Sequence, residues 1–324
     1  MKEPSVPAGL SEKIDRAWSR IGADIVRTPL ERSSSLSRLT GAEVYLKWES
    51  EQKTGSFKFR GALNKLRSLS ADEKRRGVVS ASTGNHGLGL SLAASMERVC
   101  LTLVLPETVA AEKRRRLEEY PVEIIRCGAS CEKAELRARR LAEETGRLYV
   151  SPYNDFDIIA GQGTIGREVI GELSRVDAVI VPIGGGGLIA GIAGYIKAVS
   201  PRVRVVGVEP VHSAFMAASF KAGRIVEIEE KETIAEAVAG GIEPGSATFP
   251  LCRELVDDIV LVEEAQIKKA MSFLFAEHHR MVEGAGALSL AALLEKGTPF
   301  QGRKAVLIIS GGNIASAVFK EAVS

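Results

Sequence analysis

Lys58 lies in the run Lys53-Thr54-Gly55-Ser56-Phe57-Lys58-Phe59-Arg60-Gly61-Ala62, an amine flanked by two phenylalanines. Phe59, Leu63, Leu66 and Leu69 recur at helical spacing, and Ser56 has the side chain of an N-cap. The segment therefore predicts a helix with Lys58 in its first turn. Unpaired N–H groups at that end and apolar neighbours both disfavour the ammonium form. A lysine so placed can attack a carbonyl and hold it as a Schiff base. Taken alone, the same residue also reads as a solvated surface group.

Three turns could supply partners. Gly184, Gly185, Gly186 and Gly187 follow an apolar run at residues 178–181 and precede a helical pattern at 188–199. Backbone N–H groups of such a turn can close around a phosphate, and the helix dipole adds to the attraction. The same residues contain Gly185-x-Gly187-x-x-Ala190, the dinucleotide fingerprint, and Glu209 stands where a ribose-binding acid would, so a nicotinamide dehydrogenase is an open alternative. A second match, Gly161-x-Gly163-x-x-Gly166, has no strand ahead of it and reads as a loop entering a helix at 164–173. Ser82-Thr83-Gly84-Asn85-His86-Gly87 suits a carboxylate, or is an ordinary strand-to-helix turn capped by Ser82. Ser310-Gly311-Gly312-Asn313 follows the apolar run 305–309.

The elements that must position these turns are legible. Residues 44–46, 78–80, 99–105, 123–126, 178–181, 203–208 and 305–309 read as strands, with helical patterns between most of them. That alternation predicts an α/β protein with largely parallel sheets, in which ligands bind beyond the carboxyl ends of the strands and the three turns converge. One site would then hold an imine-forming lysine, a phosphate cradle, a carboxylate loop and a lone hydroxyl. Pyridoxal 5'-phosphate with an amino acid needs that set, whereas a dinucleotide has no use for Lys58.

The 324 residues are enough for two domains, and 45% hydrophobic content supports sizeable cores. Forty-three basic against 41 acidic residues leave +2, which gives no electrostatic footprint for nucleic acid or an anionic membrane, so a small-molecule partner is expected. Lys113, Arg114, Arg115 and Arg116 form a basic row, but Glu112, Glu118 and Glu119 flank it and it reads as a solvated helix face. Residues 1–10, with Pro4 and Pro7, lack a signal-peptide run, and no stretch approaches membrane-spanning length, so a cytoplasmic setting is expected. Cys100, Cys127, Cys131 and Cys252 read as reduced thiols, and the spacing of His86, His212, His278 and His279 gives no zinc motif.

Ser56 to Ala62, Ser82 to His86, the four glycines, Gly207-Val208-Glu209-Pro210, Glu283-Gly284-Ala285-Gly286-Ala287 and Ser310 to Asn313, in that order, resemble the serine/threonine dehydratase family. These are fold type II pyridoxal-phosphate enzymes, a group that includes serine racemase, and the likeness runs from about Arg27 to Asn313. The resemblance implies two open twisted, mainly parallel-sheet domains with the cofactor in the cleft between them. Residues 1–52 and 153–324 would form the large domain and 53–152 the small one.

By that resemblance Lys58 would carry the cofactor and later take the Cα proton. Phe57 would pack on the ring, Asn85 would meet the ring hydroxyl, Gly184 to Gly187 with Leu188 would bind the phosphate, and Ser310 would meet the ring nitrogen. Ser82, Thr83, Gly84 and His86 would hold the substrate carboxylate. A hydroxyl at Ser310 makes the ring a modest electron sink, which suits elimination. The implied activity is deamination of L-threonine, L-serine or a related β-hydroxy amino acid to a 2-oxo acid and ammonia. Relatives act on phenylserine, hydroxyaspartate or hydroxyectoine-derived substrates, and an amino-acid racemase or a catalytically idle amino-acid-binding protein are further readings. Thr83 stands where racemases of the group carry a serine, so racemisation is not expected as the main activity. Ser213, Ala214, Phe215 and Met216 stand where metal-binding members have acidic residues, so no tight magnesium site is expected. The sequence ends 11 residues after Asn313, so feedback control by isoleucine through an appended domain is not expected. A homodimer or homotetramer is the implied assembly.

Overall fold

The computed structural model describes residues 9–295 and 300–324; Pro4 and Pro7 lie outside them. The chain builds a mixed α/β structure on two sheets. The larger contains β1 (Leu30–Arg32), β2 (Glu43–Trp48), β7 (Ala178–Pro182), β8 (Arg204–Pro210), β9 (Asp258–Val262) and β10 (Lys304–Ile309), in the order β1-β2-β10-β7-β8-β9. Only β1 runs antiparallel to its neighbour. The smaller sheet is wholly parallel and contains β3 (Val78–Ser80), β4 (Leu101–Leu105), β5 (Glu123–Arg126) and β6 (Leu148–Tyr149), in the order β5-β4-β3-β6.

The strands β7 and β10 read Ala-Val-Ile-Val-Pro and Lys-Ala-Val-Leu-Ile-Ile and are buried on both faces, as parallel strands between helix layers must be. One face of the large sheet packs on Ile14, Ile165, Ile192 and Leu251, the other on Leu36, Met271, Leu290 and Phe319. Phe59, Leu63, Leu90 and Leu103 centre the core on one side of the small sheet, and Ala134, Ala138 and Ala142 cover the other.

The strand readings hold at all seven places, and the structure adds β1, β6 and β9. β1 and β6 are too short for alternation to register, and β9 is an edge strand whose pattern is broken by exposed Asp258 and Leu261. Two other expectations are corrected. Gly161, Gly163 and Gly166 are not in a loop but inside the helix Phe156–Glu172, which starts at the Asp155 N-cap. A Cβ on Gly161 would stand 2.6 Å from Cα of Gly61, and one on Gly163 2.8 Å from the Gly191 carbonyl. These glycines therefore let the helices Lys58–Ser68, Phe156–Glu172 and Gly187–Val199 approach closely, which sets the lysine helix against the helix that leaves the glycine turn. Ser56, read as the N-cap of the lysine helix, is instead extended and bridged to Gly311; Phe57 occupies the cap position without a side-chain bond.

The basic row lies on the helix Ala111–Glu118. It is only partly a solvated face, because Lys113 reaches Glu236 at 2.8 Å and Arg116 reaches Asn313 at 2.7 Å. The four cysteines are free thiols, and no described helix is long and apolar enough to cross a membrane.

Candidate active site

Register brings the carboxyl ends of the central strands to one edge. Ile309 of β10 lies opposite Trp48 of β2, and β7 runs alongside, so the turns after β10 and β7 emerge side by side. The lysine segment is stitched to the first of these turns by its backbone. Phe57 N–H donates to the Ser310 carbonyl at 3.2 Å, Gly312 N–H to the Gly55 carbonyl at 3.0 Å, and Ser56 bridges Gly311. Residues more than 250 apart in sequence thus share one wall.

A cavity of about 960 Å³ opens there, lined by Phe57, Lys58, Asn85, Gly184, Gly185, Gly186, Gly187, Leu188 and Ser310 together with Pro152, Tyr153, Val238 and Glu283. Lys58 is the first residue of its helix, as the spacing predicts, and its Nζ donates to the Pro152 carbonyl at 2.9 Å. The Phe57 ring centre is 5.2 Å from that nitrogen. Burial lowers the Lys58 pKa to about 8, against the opposing pull of the Glu283 carboxylate. Burial likewise lifts Glu283 to about 7, although Asn85 Nδ2 donates to its Oε1 at 2.7 Å. Both groups are therefore poised for proton exchange near neutral pH.

The glycine turn is built as a donor surface. Thr248 Oγ1 donates to the Gly185 carbonyl at 2.6 Å and Cys252 Sγ lies 3.7 Å from the Gly186 carbonyl, so two carbonyls are engaged behind the turn while it opens the helix Gly187–Val199. Gly186 has φ +86°, a left-handed conformation that favours glycine. A Cβ on Gly185 would stand 2.5 Å from the Tyr153 ring. Gly185→Ala must displace either the ring or the turn, a strain of about 1–3 kcal/mol. Phosphate-ester binding measured by equilibrium dialysis is expected to weaken roughly five- to a hundredfold, and unchanged binding would refute the cradle.

The carboxylate turn is placed differently from the cofactor turns. Ser82, Thr83 and Gly84 are half-buried, Gly84 caps the helix Asn85–Glu97, and Ser82 only accepts from Gly84 N–H at 3.3 Å. His86 is buried with Nε2 3.2 Å from Ser80 Oγ and 3.4 Å from the Val150 carbonyl, and burial lowers its pKa to about 3. Its side chain therefore faces the small sheet, and of this turn Asn85, not Ser82, Thr83, Gly84 or His86, is among the described residues that line the cavity.

Glu209, the acid of the dinucleotide reading, is not free. It is buried at the end of β8, and its two oxygens accept from Met216 and Ala217 N–H at 2.8 Å each. That removes the ribose partner a nicotinamide cofactor would need.

Sequence reasoning missed what packs around the lysine. Arg60, two residues on, is fully buried: Nε and NH2 grip Glu49 at 2.8 and 2.7 Å, and NH1 donates to Glu168 at 2.6 Å. Lys47 reaches the other Glu168 oxygen at 2.5 Å and the Thr28 carbonyl at 2.7 Å. Burial opposes charge in this cluster, but the carboxylates still raise the Arg60 pKa, and the two cations still lower that of Glu168. No spacing rule links these residues, because they are brought together from β2, the turn after it and two helices.

The residues fit pyridoxal phosphate: a lysine with a depressed pKa, an anion cradle that a Cβ would fill, and a hydroxyl at Ser310 line one cavity. Comparison with known proteins agrees. The chain is 43% identical over 303 residues to an L-threonine ammonia-lyase of Thermotoga maritima, covering 94% of this chain and 75% of that protein. It superposes on the processed threonine deaminase isoform 2 of Solanum lycopersicum with a TM-score of 0.94 at 32% identity, covering 99% and 94% of the two chains, and on maize serine racemase with 0.91 at 34%, covering 96% and 95%. The profile described as pyridoxal-phosphate dependent enzyme matches residues 21–311, and the chain belongs to that family.

Proposed function

We propose that this enzyme is a lyase that deaminates L-threonine, L-serine or a related β-hydroxy amino acid, giving a 2-oxo acid and ammonia. The observation that carries the reading is Lys58, an amine with a pKa near 8 at the base of a cavity that has an anion cradle and Ser310 in its walls. Pyridoxal phosphate, when bound, supplies an aldehyde for the substrate amine and a ring that draws electrons from Cα.

The chain's own residues do the rest. Gly184 to Gly187 with Leu188 would hold the phosphate, Phe57 would pack on the ring, and Asn85 and Ser310 would meet its oxygen and nitrogen. The neutral Lys58 amine takes the Cα proton, the Cβ–O bond breaks, and the departing hydroxyl takes up one proton to leave as water, so that the proton held by Lys58 and the one delivered to oxygen cancel over the turnover. The released enamine adds water and loses ammonia in solution, so water out and water in balance. Ser82, Thr83, Gly84 and His86 would orient the carboxylate. Support comes from the threonine ammonia-lyase relative at 43% identity and from the small-molecule scale of the cavity. A cytoplasmic homodimer or homotetramer goes with the reading, as does a small domain at 53–152.

The test is product analysis with purified enzyme on L-threonine, L-serine and L-threo-hydroxyaspartate. A 2-oxo acid and ammonia in equal amounts are expected. D-enantiomer without 2-oxo acid would instead indicate a racemase.

A further inference from the structure

An unbroken line of side-chain hydrogen bonds runs from the basic row into the cavity wall. Arg116 NH2 donates to Asn313 Oδ1, Asn313 Nδ2 donates to Asn85 Oδ1, and Asn85 Nδ2 donates to Glu283 Oε1, each at 2.7 Å. Asn313 Nδ2 also donates to the Thr54 carbonyl at 2.7 Å. The two amides could in principle be turned either way, since their oxygen and nitrogen ends are nearly the same size. Arginine decides between them, because a guanidinium has donors and no acceptor. With Arg116 on one side and a carbonyl on the other, Asn313 must turn Oδ1 to the arginine and Nδ2 inward. Asn85 must then receive Asn313 with Oδ1, which leaves Nδ2 as its end toward Glu283 and the cavity it lines.

We propose that Arg116 and Asn313 are positioning residues for the reaction, locking the Asn85 amide so that it meets the ring oxygen of the bound cofactor as a hydrogen-bond donor. A donor stabilises that oxygen in its ionised form, which keeps the proton on the neighbouring nitrogen contributed by Lys58. An inverted amide would present an acceptor and favour the protonated oxygen instead. The arginine comes from the helix Ala111–Glu118, beside the small sheet, and Asn313 from the turn after β10 of the large one, so the polarity of the site depends on the two being packed together. The charged groups around Glu283 are Lys58, Lys113 and Glu236; His86 stays uncharged above about pH 3.

The inference rests on the proposed function, and the experiment separates the two. Wild type, Asn313→Asp, Arg116→Met and Arg116→Lys are saturated with pyridoxal phosphate, their melting temperatures are checked, and visible spectra are taken at one neutral pH alongside cofactor dissociation constants. Asn313→Asp can only accept, so it forces Asn85 to turn. The ratio of yellow to near-ultraviolet absorbance is expected to fall about two- to tenfold, the span of one net hydrogen bond. Arg116→Met should lower the ratio less, and Arg116→Lys, which keeps a donor-only cation, should restore it. A purely structural role would change melting temperature or cofactor content without moving this ratio. A wild-type ratio and dissociation constant in folded Asn313→Asp would overturn the relay and leave the function standing. If that variant does not fold, indistinguishable Met and Lys variants at position 116 would overturn it. A wild type that stays colourless would overturn both.

Discussion

Lys58→Ala is expected to leave a folded protein that does not turn yellow with pyridoxal phosphate and that deaminates β-hydroxy amino acids at least about a thousandfold more slowly than wild type, within the range expected of a positioned proton-transfer group. The physical basis is the environment of one nitrogen. Burial brings the Lys58 pKa to about 8, so a useful fraction of the amine is neutral at physiological pH, and among the described residues its hydrogen bond goes to the Pro152 carbonyl. Colour formation by cofactor-free wild type should therefore quicken as pH rises and level off above about 8. Stability follows the same shift: the native pKa lies below the unfolded 10.5, so the lysine's contribution is fully present above the unfolded value and is lost as pH falls through about 8. Reductive trapping with borohydride followed by peptide mass mapping checks the bond, and an added small amine should restore part of the lost rate. Full turnover by the alanine variant without added amine would remove Lys58 from the mechanism.

Arg60→Met should cost about 3–5 kcal/mol of unfolding free energy, which denaturant melts at neutral pH would measure. The guanidinium is fully buried and donates to both oxygens of Glu49 and both of Glu168. Without it Glu168 keeps Lys47, but Glu49 is left with the Thr28 hydroxyl at 2.6 Å. An orphaned buried carboxylate keeps its desolvation cost without the charge that offset it. A loss below about 1 kcal/mol would show that the cluster relaxes or hydrates when the arginine is removed. Because Arg60 is two residues beyond Lys58 on the same helix, the pairs also anchor that helix to the large sheet through Glu49 and to the helix Phe156–Glu172 through Glu168.

Much of the site is legible in the sequence alone. The apolar runs marked seven strands, and the alternation with helices meant a parallel sheet, whose turns must open at one edge; that argument alone brought Lys58, the four glycines and Ser310 together. These are local signals, since a strand's apolar run, a glycine turn and a lysine beside phenylalanines are each contained within about ten residues. Local chemistry misled where a longer-range contact outweighed it. Ser56 has the side chain of an N-cap, but the Gly311 backbone claims the residue as a bridge. Gly161, Gly163 and Gly166 have the spacing of a phosphate loop, but they serve close helix packing, which an isolated fingerprint cannot be told from.

What the sequence determined by itself is the set of chemical groups and the parallel architecture that collects them, because period and residue type are properties of neighbours along the chain. What only the tertiary structure decided is the state of those groups. The lowered pKa of Lys58, the inward turn of His86, the engagement of Glu209 by two backbone donors, the burial of Arg60 between two acids and the orientation of Asn85 all depend on partners that lie from 6 to 228 residues away. Desolvation and hydrogen-bond polarity are set by what surrounds an atom in space, and a one-dimensional pattern does not contain that.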